Sequence, residues 1–549
     1  MTLAGFRDVV VLGSGFGGAV MAARLGAEAQ ALGKQVLVIE KGKDHTGRFD
    51  DAANDGPFNG QGNRFRHSLG PDYLSTLLDV VSDPSGAFRT GVSSMNVALG
   101  KGLGGGSNVY DAVSLRAPRE AFEQKTGARR LWPQLYTRAA LDPYYAKVEA
   151  RLRVTRLAWT DAAAPHWALA TKRDFVFAEG CRRIGATALP LKVATHDDAN
   201  EGWWNQGQRF SGRQDLTKNY LADAKASGVA FATSCEVTTI APSKKGYTVS
   251  GIDRRGGGEV PFTLECRLLV VACGSIASSA LLLRSRTQFS ESRTLDPKGA
   301  LGRYLSSNGD YGVSGVVGDR YEHDVEGMKG KPMSSFSPSF WAKDKFILIP
   351  FYAAPLHLAL GQPSTLKIAQ DPGARGRGST EARSGESDFG LAFKNRLKRF
   401  GSRMLTMGCL ALDECEGEIS VGKSGAAEVR WPRTSDATEA RWSAAVSAMA
   451  RIYDALGGEM YLDSYRAEGS VNTAHPLGGC RMTDRDTKDG VTDEFGEALL
   501  NTNLFVVDGA SVPSALGTNP SLTIAAVAEL IADRLVRGVG TTKLAERLS

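Results

Sequence analysis

At 549 residues the chain is too long for one ordinary hydrophobic core and long enough for a large enzyme of two or more units. Its 42% hydrophobic and 23% charged content is that of a globular protein and excludes a disordered or fibrous one. The net charge of +6 is a thin excess with no basic run interleaved with aromatics, which argues against nucleic-acid binding and leaves only weak attraction to an anionic membrane surface.

No uncharged apolar run approaches the ~18 residues of a spanning helix, so no transmembrane segment is expected. Cys181, Cys235, Cys266, Cys273, Cys409, Cys415 and Cys480 form no C-x-x-C pair and have no companion histidine spacing. Such scatter fits reduced thiols in a cytoplasmic protein and offers no metal site. Met1 runs almost directly into an apolar strand at Val9, which leaves no room for a cleavable signal.

The first element is the strand Asp8–Leu12, followed by Gly13-Ser14-Gly15-Phe16-Gly17-Gly18, a helix over Ala19–Leu32, and a second strand Val36–Ile39 that ends in Glu40. Gly13, Gly15 and Gly18 fit the G-x-G-x-x-G spacing. The first permits the turn, the second lets backbone approach a pyrophosphate, and the third lets helix pack on strand. The helix start offers N–H groups and a positive dipole end to phosphates. Glu40 is placed to accept from ribose hydroxyls, and its charge disfavours a 2′-phosphate and hence NADP. Whether the dinucleotide is NAD or FAD is left open by this stretch alone.

After a polar segment over residues 43–66 comes Gly100-Lys101-Gly102-Leu103-Gly104-Gly105-Gly106-Ser107. It lies between the apolar elements Val92–Leu99 and Val109–Leu115, so it reads as a loop against a ligand rather than a linker. Trp132-Pro133 and Leu141-Asp142-Pro143-Tyr144-Tyr145 flank a helical stretch to Arg153, and Trp203 and Trp204 read as packing anchors. A helix is expected over Leu216–Lys225. Strands follow at Val229–Thr233, Cys235–Ile240 and Tyr247–Ile252, with a glycine turn at Gly256–Gly258 before Phe262–Leu264. Leu268–Ala272 is wholly apolar, the pattern of a strand buried on both faces of a parallel sheet.

From 302 to 458 the pattern changes to alternating strands such as Tyr311–Val317 and Phe346–Phe351, which predict a largely antiparallel sheet facing the substrate. Asp371–Gly390 reads as a loop on composition. Asp436–Leu456 reads as an amphipathic helix with Ala444, Met449, Ile452 and Leu456 on one stripe. Beyond it, His475 sits among turn-forming and small residues in Asn472–Met482. Leu504–Ala510 is a buried strand carrying Asp508 and Gly509, and Asn519-Pro520-Ser521 opens the apolar helix Leu522–Leu535.

Together these stretches resemble the glucose-methanol-choline (GMC) family of FAD-dependent oxidoreductases, most closely its cholesterol-oxidase branch. The resemblance is carried in family order by Gly13–Gly18 with Glu40, Gly100–Ser107, Arg213–Leu221, Ala272–Ser275, His475–Cys480, Asp508-Gly509 and Asn519–Ile524. It implies an α/β fold in which a Rossmann-like FAD-binding domain is joined to a second, α+β substrate domain on a largely antiparallel sheet. The implied division is residues 1–50, 90–120, 213–302 and 460–549 for FAD, and 51–89, 121–212 and 303–459 for substrate.

The resemblance assigns Gly13, Gly15, Phe16, Gly18 and Glu40 to the ADP half of a noncovalent FAD, with Val237 backbone against the adenine. Gly102, Gly105, Gly106 and Ser107 run along the flavin, Ala272 and Gly274 line the nucleotide, and Asp508 and Gly509 sit by the phosphate and ribityl chain. Asn519, Pro520 and Ser521 flank the isoalloxazine. His475 and Asn519 are the implied catalytic pair for hydride transfer from an alcohol to flavin N5. The expected substrate is a bulky apolar alcohol such as a sterol or terpenoid, with oxygen or an electron carrier as acceptor. Other flavin reactions on this fold (isomerisation, elimination, photodecarboxylation), or a flavin-binding protein without catalysis, are the alternatives. The sequence departs from cholesterol oxidases at Tyr352, where their substrate-domain glutamate is expected, and at Tyr110, where an asparagine is expected. Both are candidate substrate-pocket residues, and the departure at Tyr352 argues against the isomerase step.

Overall fold

The computed structural model describes residues 3–44, 78–82, 95–160, 168–195, 213–322, 324–325, 331–351, 391, 394, 402–461, 471–485 and 489–549. Trp203, Trp204, Tyr352 and the Asp371–Gly390 segment lie outside these residues.

A seven-stranded sheet runs in the order Ala230–Ala232, Val36–Ile39, Phe6–Leu12, Val260–Val271, Gly246–Asp253, Cys235–Ser243, with Leu504–Val506 also paired to Val260–Val271. Phe6–Leu12 is parallel to both neighbours, with Val10 opposite Leu37 on one side and Leu269 on the other. Its side chains divide by the two-residue period of a strand. Val9 and Val11 join Val36, Val38, Leu268 and Val270 under helices Phe16–Ala31 and Ser521–Arg537. Val10 and Leu12 join Leu37, Ile39, Leu269 and Val271 over helix Ser275–Ser285. Covering both faces is why these strands need unbroken apolar runs.

One strand replaces two expected ones. Phe262–Leu264 and Leu268–Ala272 belong to a single 12-residue strand, Val260–Val271. Its first half pairs antiparallel with Gly246–Asp253 and alternates between buried and open positions, whereas its second half lies parallel between Phe6–Leu12 and Leu504–Val506 and is buried without a break from Leu268 to Val271. The change in burial along one strand mimics a break in the sequence.

Helix Phe16–Ala31 approaches the sheet closely because its contact residues are small. A Cβ on Gly17 would stand 1.7 Å from the Val507 carbonyl oxygen, and one on Gly18 would stand 2.2 Å from that of Gly13. Across it lies Ser521–Arg537, ended by Gly538 at φ 70°. The fully buried Glu529 of that helix accepts from Arg24 at 3.2 Å, Lys147 at 2.6 Å and the Tyr220 hydroxyl at 3.0 Å, so one carboxylate ties four helices.

Two helix boundaries differ from expectation. Helix Arg138–Arg151 begins ahead of Pro143 because Thr137 Oγ1 accepts from Ala140 N at 3.0 Å and caps it. Leu216–Lys225 is broken at Asn219 (φ −140°, ψ −94°) into a turn, Leu216–Lys218, and a helix, Tyr220–Ala226, whose first N–H is accepted by the Asn219 side chain. Asx capping overrides the continuous helical pattern there.

The second sheet is antiparallel, in the order Phe346–Phe351, Met404–Ala411, Tyr311–Val316, Glu459–Tyr461. One face, with Val313, Leu348, Leu405 and Met407, packs on helix Asp436–Ala455 through Trp442, Ala445, Met449, Ile452 and Tyr453. Ala444 is only partly buried, so the stripe is centred one residue further along than the sequence pattern suggests. The other face packs Ile347, Ile349 and Leu410 on Val113, Leu191 and Val193.

A small third sheet joins the two halves of the site. Val471–Thr473 runs parallel to Met95–Gly100, which pairs with Leu78–Ser82. The strand leading to His475 therefore lies beside the strand leading to the second glycine loop. Among the described residues, no helix is long and apolar enough to cross a membrane.

Candidate active site

The two glycine loops meet. A Cβ on Gly105 (φ 53°) would come within 2.8 Å of Gly15 Cα, and one on Gly13 (φ 88°) within 2.3 Å of the Ala272 carbonyl oxygen. Gly15, Gly106 and Gly274 behave differently: a Cβ on any of them meets no other protein atom within 4 Å. The glycines thus fall into a packing set and a set whose bare backbone faces room for a ligand. The helix start at Phe16 has no side-chain cap, which leaves its N–H groups to an anion.

Glu40 ends its strand buried beside this crossing. It accepts from Ser14 Oγ at 2.6 Å, Ser14 N at 3.1 Å and Gly42 N at 2.8 Å. Burial pushes its carboxyl above the usual range, against the pull of these donors. Ser14 Oγ also accepts from Gly104 N at 3.0 Å, so this serine, unremarked in the sequence, links the loops. Ser107 Oγ donates to the Gly104 carbonyl at 2.8 Å and accepts from Leu216 N at 3.1 Å. Gly102 takes φ 106° at the start of this loop.

Asp508 braces the opposite wall. It accepts from Gly274 N at 2.7 Å, Ser278 Oγ at 2.6 Å and Ala510 N at 2.8 Å, and burial raises its carboxyl too. The Gly509 carbonyl accepts from Gly478 N at 2.8 Å, bringing the histidine segment against that wall. Val237 lies at a register shift in the pairing of Cys235–Ser243 with Gly246–Asp253. Phe16 stands edge-on to Tyr110 with ring centroids 5.4 Å apart. The Tyr110 hydroxyl donates to the Gln214 carbonyl, while Arg213 donates to the Tyr110 and Asn108 carbonyls at 3.0 and 2.8 Å.

His475 and Asn519 meet: Asn519 Nδ2 donates to His475 Nε2 at 3.1 Å. On the other side of the ring, Nδ1 faces Asp310 Oδ2 at 2.8 Å and Oδ1 at 2.9 Å. Asp310 Oδ2 also accepts from Thr473 Oγ1 at 2.8 Å and Ala474 N at 3.2 Å, and Thr473 Oγ1 accepts from His475 N at 2.8 Å. An ionised carboxylate only accepts, so Nδ1 carries the proton and Nε2 presents its lone pair. Burial lowers the basicity of the imidazole, but the charge and hydrogen bond of Asp310, with the charge of Asp111, outweigh it and lift its pKa above the ordinary value. The ring keeps 22% of its side-chain surface open.

Asn519 immediately precedes Pro520, which begins the helix Ser521–Arg537, and no side chain caps that helix start. Asn519 Oδ1 and Thr518 Oγ1 are buried without a hydrogen-bond partner. Orphaned buried acceptors beside an uncapped helix start fit the polar edge of a bound isoalloxazine. Among the described residues no group of three His, Cys, Asp or Glu could hold a metal ion. Asp310 is the functional residue that sequence reasoning missed; its only local signal is the Asn308-Gly309 dipeptide, which marks a turn but not what the turn carries.

A glycine-turn cradle together with a polar histidine–asparagine pair fits an oxidoreductase of the flavin-binding class. The sequence matches the GMC oxidoreductase family, with its N-terminal part over residues 10–305 and its C-terminal part over 425–528, and the chain belongs to that family. It is an FAD-dependent oxidoreductase, and its relatives support flavin-dependent oxidation of an alcohol. A long-chain-alcohol oxidase of Arabidopsis thaliana is 22% identical, over 97% of this chain and 68% of its own length. A cholesterol oxidase of Mycobacterium tuberculosis is 25% identical over 95% of this chain and 90% of its own. The fold is that of pyridoxine 4-oxidase from Mesorbium loti, at TM-score 0.63 and 16% identity, covering 97% of this chain and 99% of that one.

Proposed function

We propose that the protein oxidises a bulky, apolar primary or secondary alcohol to its carbonyl, with His475 as base and Asn519 as its hydrogen-bond partner. The observation that carries this reading is the array Asp310–His475–Asn519, in which a part-buried carboxylate fixes the imidazole with its basic nitrogen toward an amide donor.

Noncovalent FAD fits the cradle. Gly13, Gly15, Phe16, Gly18 and Glu40 would hold the ADP half with Val237, Ala272 and Gly274. Gly102, Gly105, Gly106, Ser107, Asp508, Gly509, Pro520 and Ser521 would hold the flavin half. When bound, FAD supplies the hydride acceptor. The rest is the work of the chain. The substrate hydroxyl displaces the 3.1 Å hydrogen bond between Asn519 Nδ2 and His475 Nε2, donating to the ring and accepting from the amide once the two side chains part. Nε2 takes the hydroxyl proton as carbon–hydrogen cleavage proceeds, and the imidazolium is stabilised through Nδ1–H by Asp310. The Asn519 amide meets the developing negative charge on oxygen, and the N-terminus of Ser521–Arg537 favours anionic charge beside it.

The apolar class of substrate is supported by the relatives named for long-chain alcohols and cholesterol. The two-part division given above, and the places of Tyr110 and Tyr352 in the pocket, belong to the same proposal. The reading is tested by anaerobic mixing of the FAD-loaded protein with linear, branched and sterol alcohols. Bleaching of the flavin supports it, and a flavin that stays oxidised across the panel rejects it.

A further inference from the structure

We propose that Asp413, which lies just beyond the strand Met404–Ala411 of the substrate-side sheet and takes no part in the chemistry, is the positioning residue that holds His475 and Asn519 in mutual register. It acts through the turn Ser306–Asp310, and the proposal rests on the reading of His475 as base.

Asp413 follows the strand Met404–Ala411 and is 2% exposed. Its Oδ2 accepts from Ser306 Oγ at 2.9 Å, Ser307 Oγ at 3.0 Å and Gly309 N at 3.1 Å, and its Oδ1 accepts from Cys415 N at 3.0 Å. All four partners are neutral. A buried carboxylate facing only neutral donors costs stability relative to an apolar side chain, so its presence calls for something that it organises.

What it organises is a turn with three attachments to the site. Ser306 and Leu477 exchange backbone hydrogen bonds of 2.8 and 3.2 Å, and the Ser307 carbonyl accepts from Thr473 Oγ1 at 2.9 Å, so His475 is held both before and after its position. Asn308, at φ 59°, accepts on Oδ1 from Leu516 N at 2.8 Å and Gly517 N at 3.1 Å, and donates from Nδ2 to the Thr518 carbonyl at 2.8 Å. That clamp ends one residue before Asn519. Asp310 then closes the turn on the imidazole. Gly309 sits at φ 63°, where a Cβ would fall 2.5 Å from the Ala411 carbonyl oxygen, so only glycine fits at this point of the turn. Without Asp413 the Ser306 and Ser307 hydroxyls and the Gly309 N–H lose their shared acceptor, and the histidine and asparagine segments lose their common anchor.

The test uses the FAD-loaded full chain labelled at histidine nitrogen, with the His475 signal assigned by its loss in His475→Asn. Asp413→Asn removes the charge, whereas Ser307→Ala removes one donor and no charge. The expected result is that in both variants the His475 titration falls toward that of free histidine. Alcohol-driven flavin reduction should slow on the order of 10- to 100-fold with KM little changed. Should Asp413→Asn fail to fold, Ser307→Ala decides alone. A lower melting temperature with an unchanged His475 titration overturns the proposal, as does a change in Asp413→Asn that Ser307→Ala does not share, since that would be loss of charge rather than of register. If no alcohol bleaches even the unaltered protein, the functional reading fails while the histidine titration still decides the positioning.

Discussion

Asp310 and His475 stand 165 positions apart in the chain, yet the carboxylate holds Nδ1 at 2.8 Å and leaves Nε2 as the ring nitrogen that can accept a proton. A turn beside the second sheet thus sets the tautomer of His475.

This pairing fixes the sign of the pH response. The imidazole must be neutral to act as base, so the rate of flavin reduction by alcohol should rise with pH through a pKa above 6.5. Stability runs the other way. The folded ring holds its proton to higher pH than the unfolded one, so the pair contributes fully below the unfolded value and that contribution is lost as pH rises through the raised folded value. Melting curves of the unaltered protein and Asp310→Asn across this range should converge toward alkaline pH.

Asp310→Asn also removes the charge that stabilises the imidazolium. The pH–rate profile should shift to lower pH, and the plateau rate should fall on the order of 10- to 100-fold. Stopped-flow reduction under anaerobic conditions measures both, and an unshifted profile would mean that Asp310 leaves the basicity of His475 untouched.

The division of the glycines predicts opposite outcomes for neighbouring substitutions. Gly15 has φ −69° and room for a Cβ, so Gly15→Ala should fold normally without cofactor but bind FAD at least about tenfold more weakly. Gly17→Ala drives a methyl to 1.7 Å from the Val507 carbonyl oxygen and should destabilise the apoprotein by about 1–3 kcal/mol. Urea unfolding of the apoproteins and FAD titration separate the two effects.

Glu529 offers a test of the scaffold away from the chemistry. Glu529→Ala leaves Arg24, Lys147 and Tyr220 without their common acceptor. Because Lys147 is 44% exposed and Arg24 26%, solvent screens part of the loss, and about 2–3 kcal/mol is expected from the urea midpoint. Glu529→Gln should lose less, since the amide still reaches the Tyr220 hydroxyl.

The parts of the fold legible in the sequence are those built from contiguous patterns. Leu268–Ala272 reads as a doubly covered strand because every residue is apolar, and Gly13 to Gly18 reads as a turn because local backbone geometry demands glycine at fixed spacing. The helix Asp436–Ala455 announces itself by period, although Trp442 and Tyr453, which contribute much of its buried face, fall outside the simplest stripe. The residues that aim the chemistry left no such trace. Asp310 is one acid after an Asn-Gly turn, Ser306 and Ser307 are ordinary turn residues, and Asp413 acts over more than 100 positions. Their roles arise from folding that brings the substrate-side sheet against the histidine and asparagine segments, and no local spacing encodes that encounter.

The central claim is that His475, oriented by Asp310, accepts the hydroxyl proton of an alcohol. Anaerobic stopped-flow mixing of FAD-loaded protein with an alcohol that bleaches it, for the unaltered chain and His475→Ala side by side, tests this most directly. Flavin reduction should slow by about a hundredfold or more in His475→Ala, with FAD still bound. Equal rates in the two proteins would contradict it.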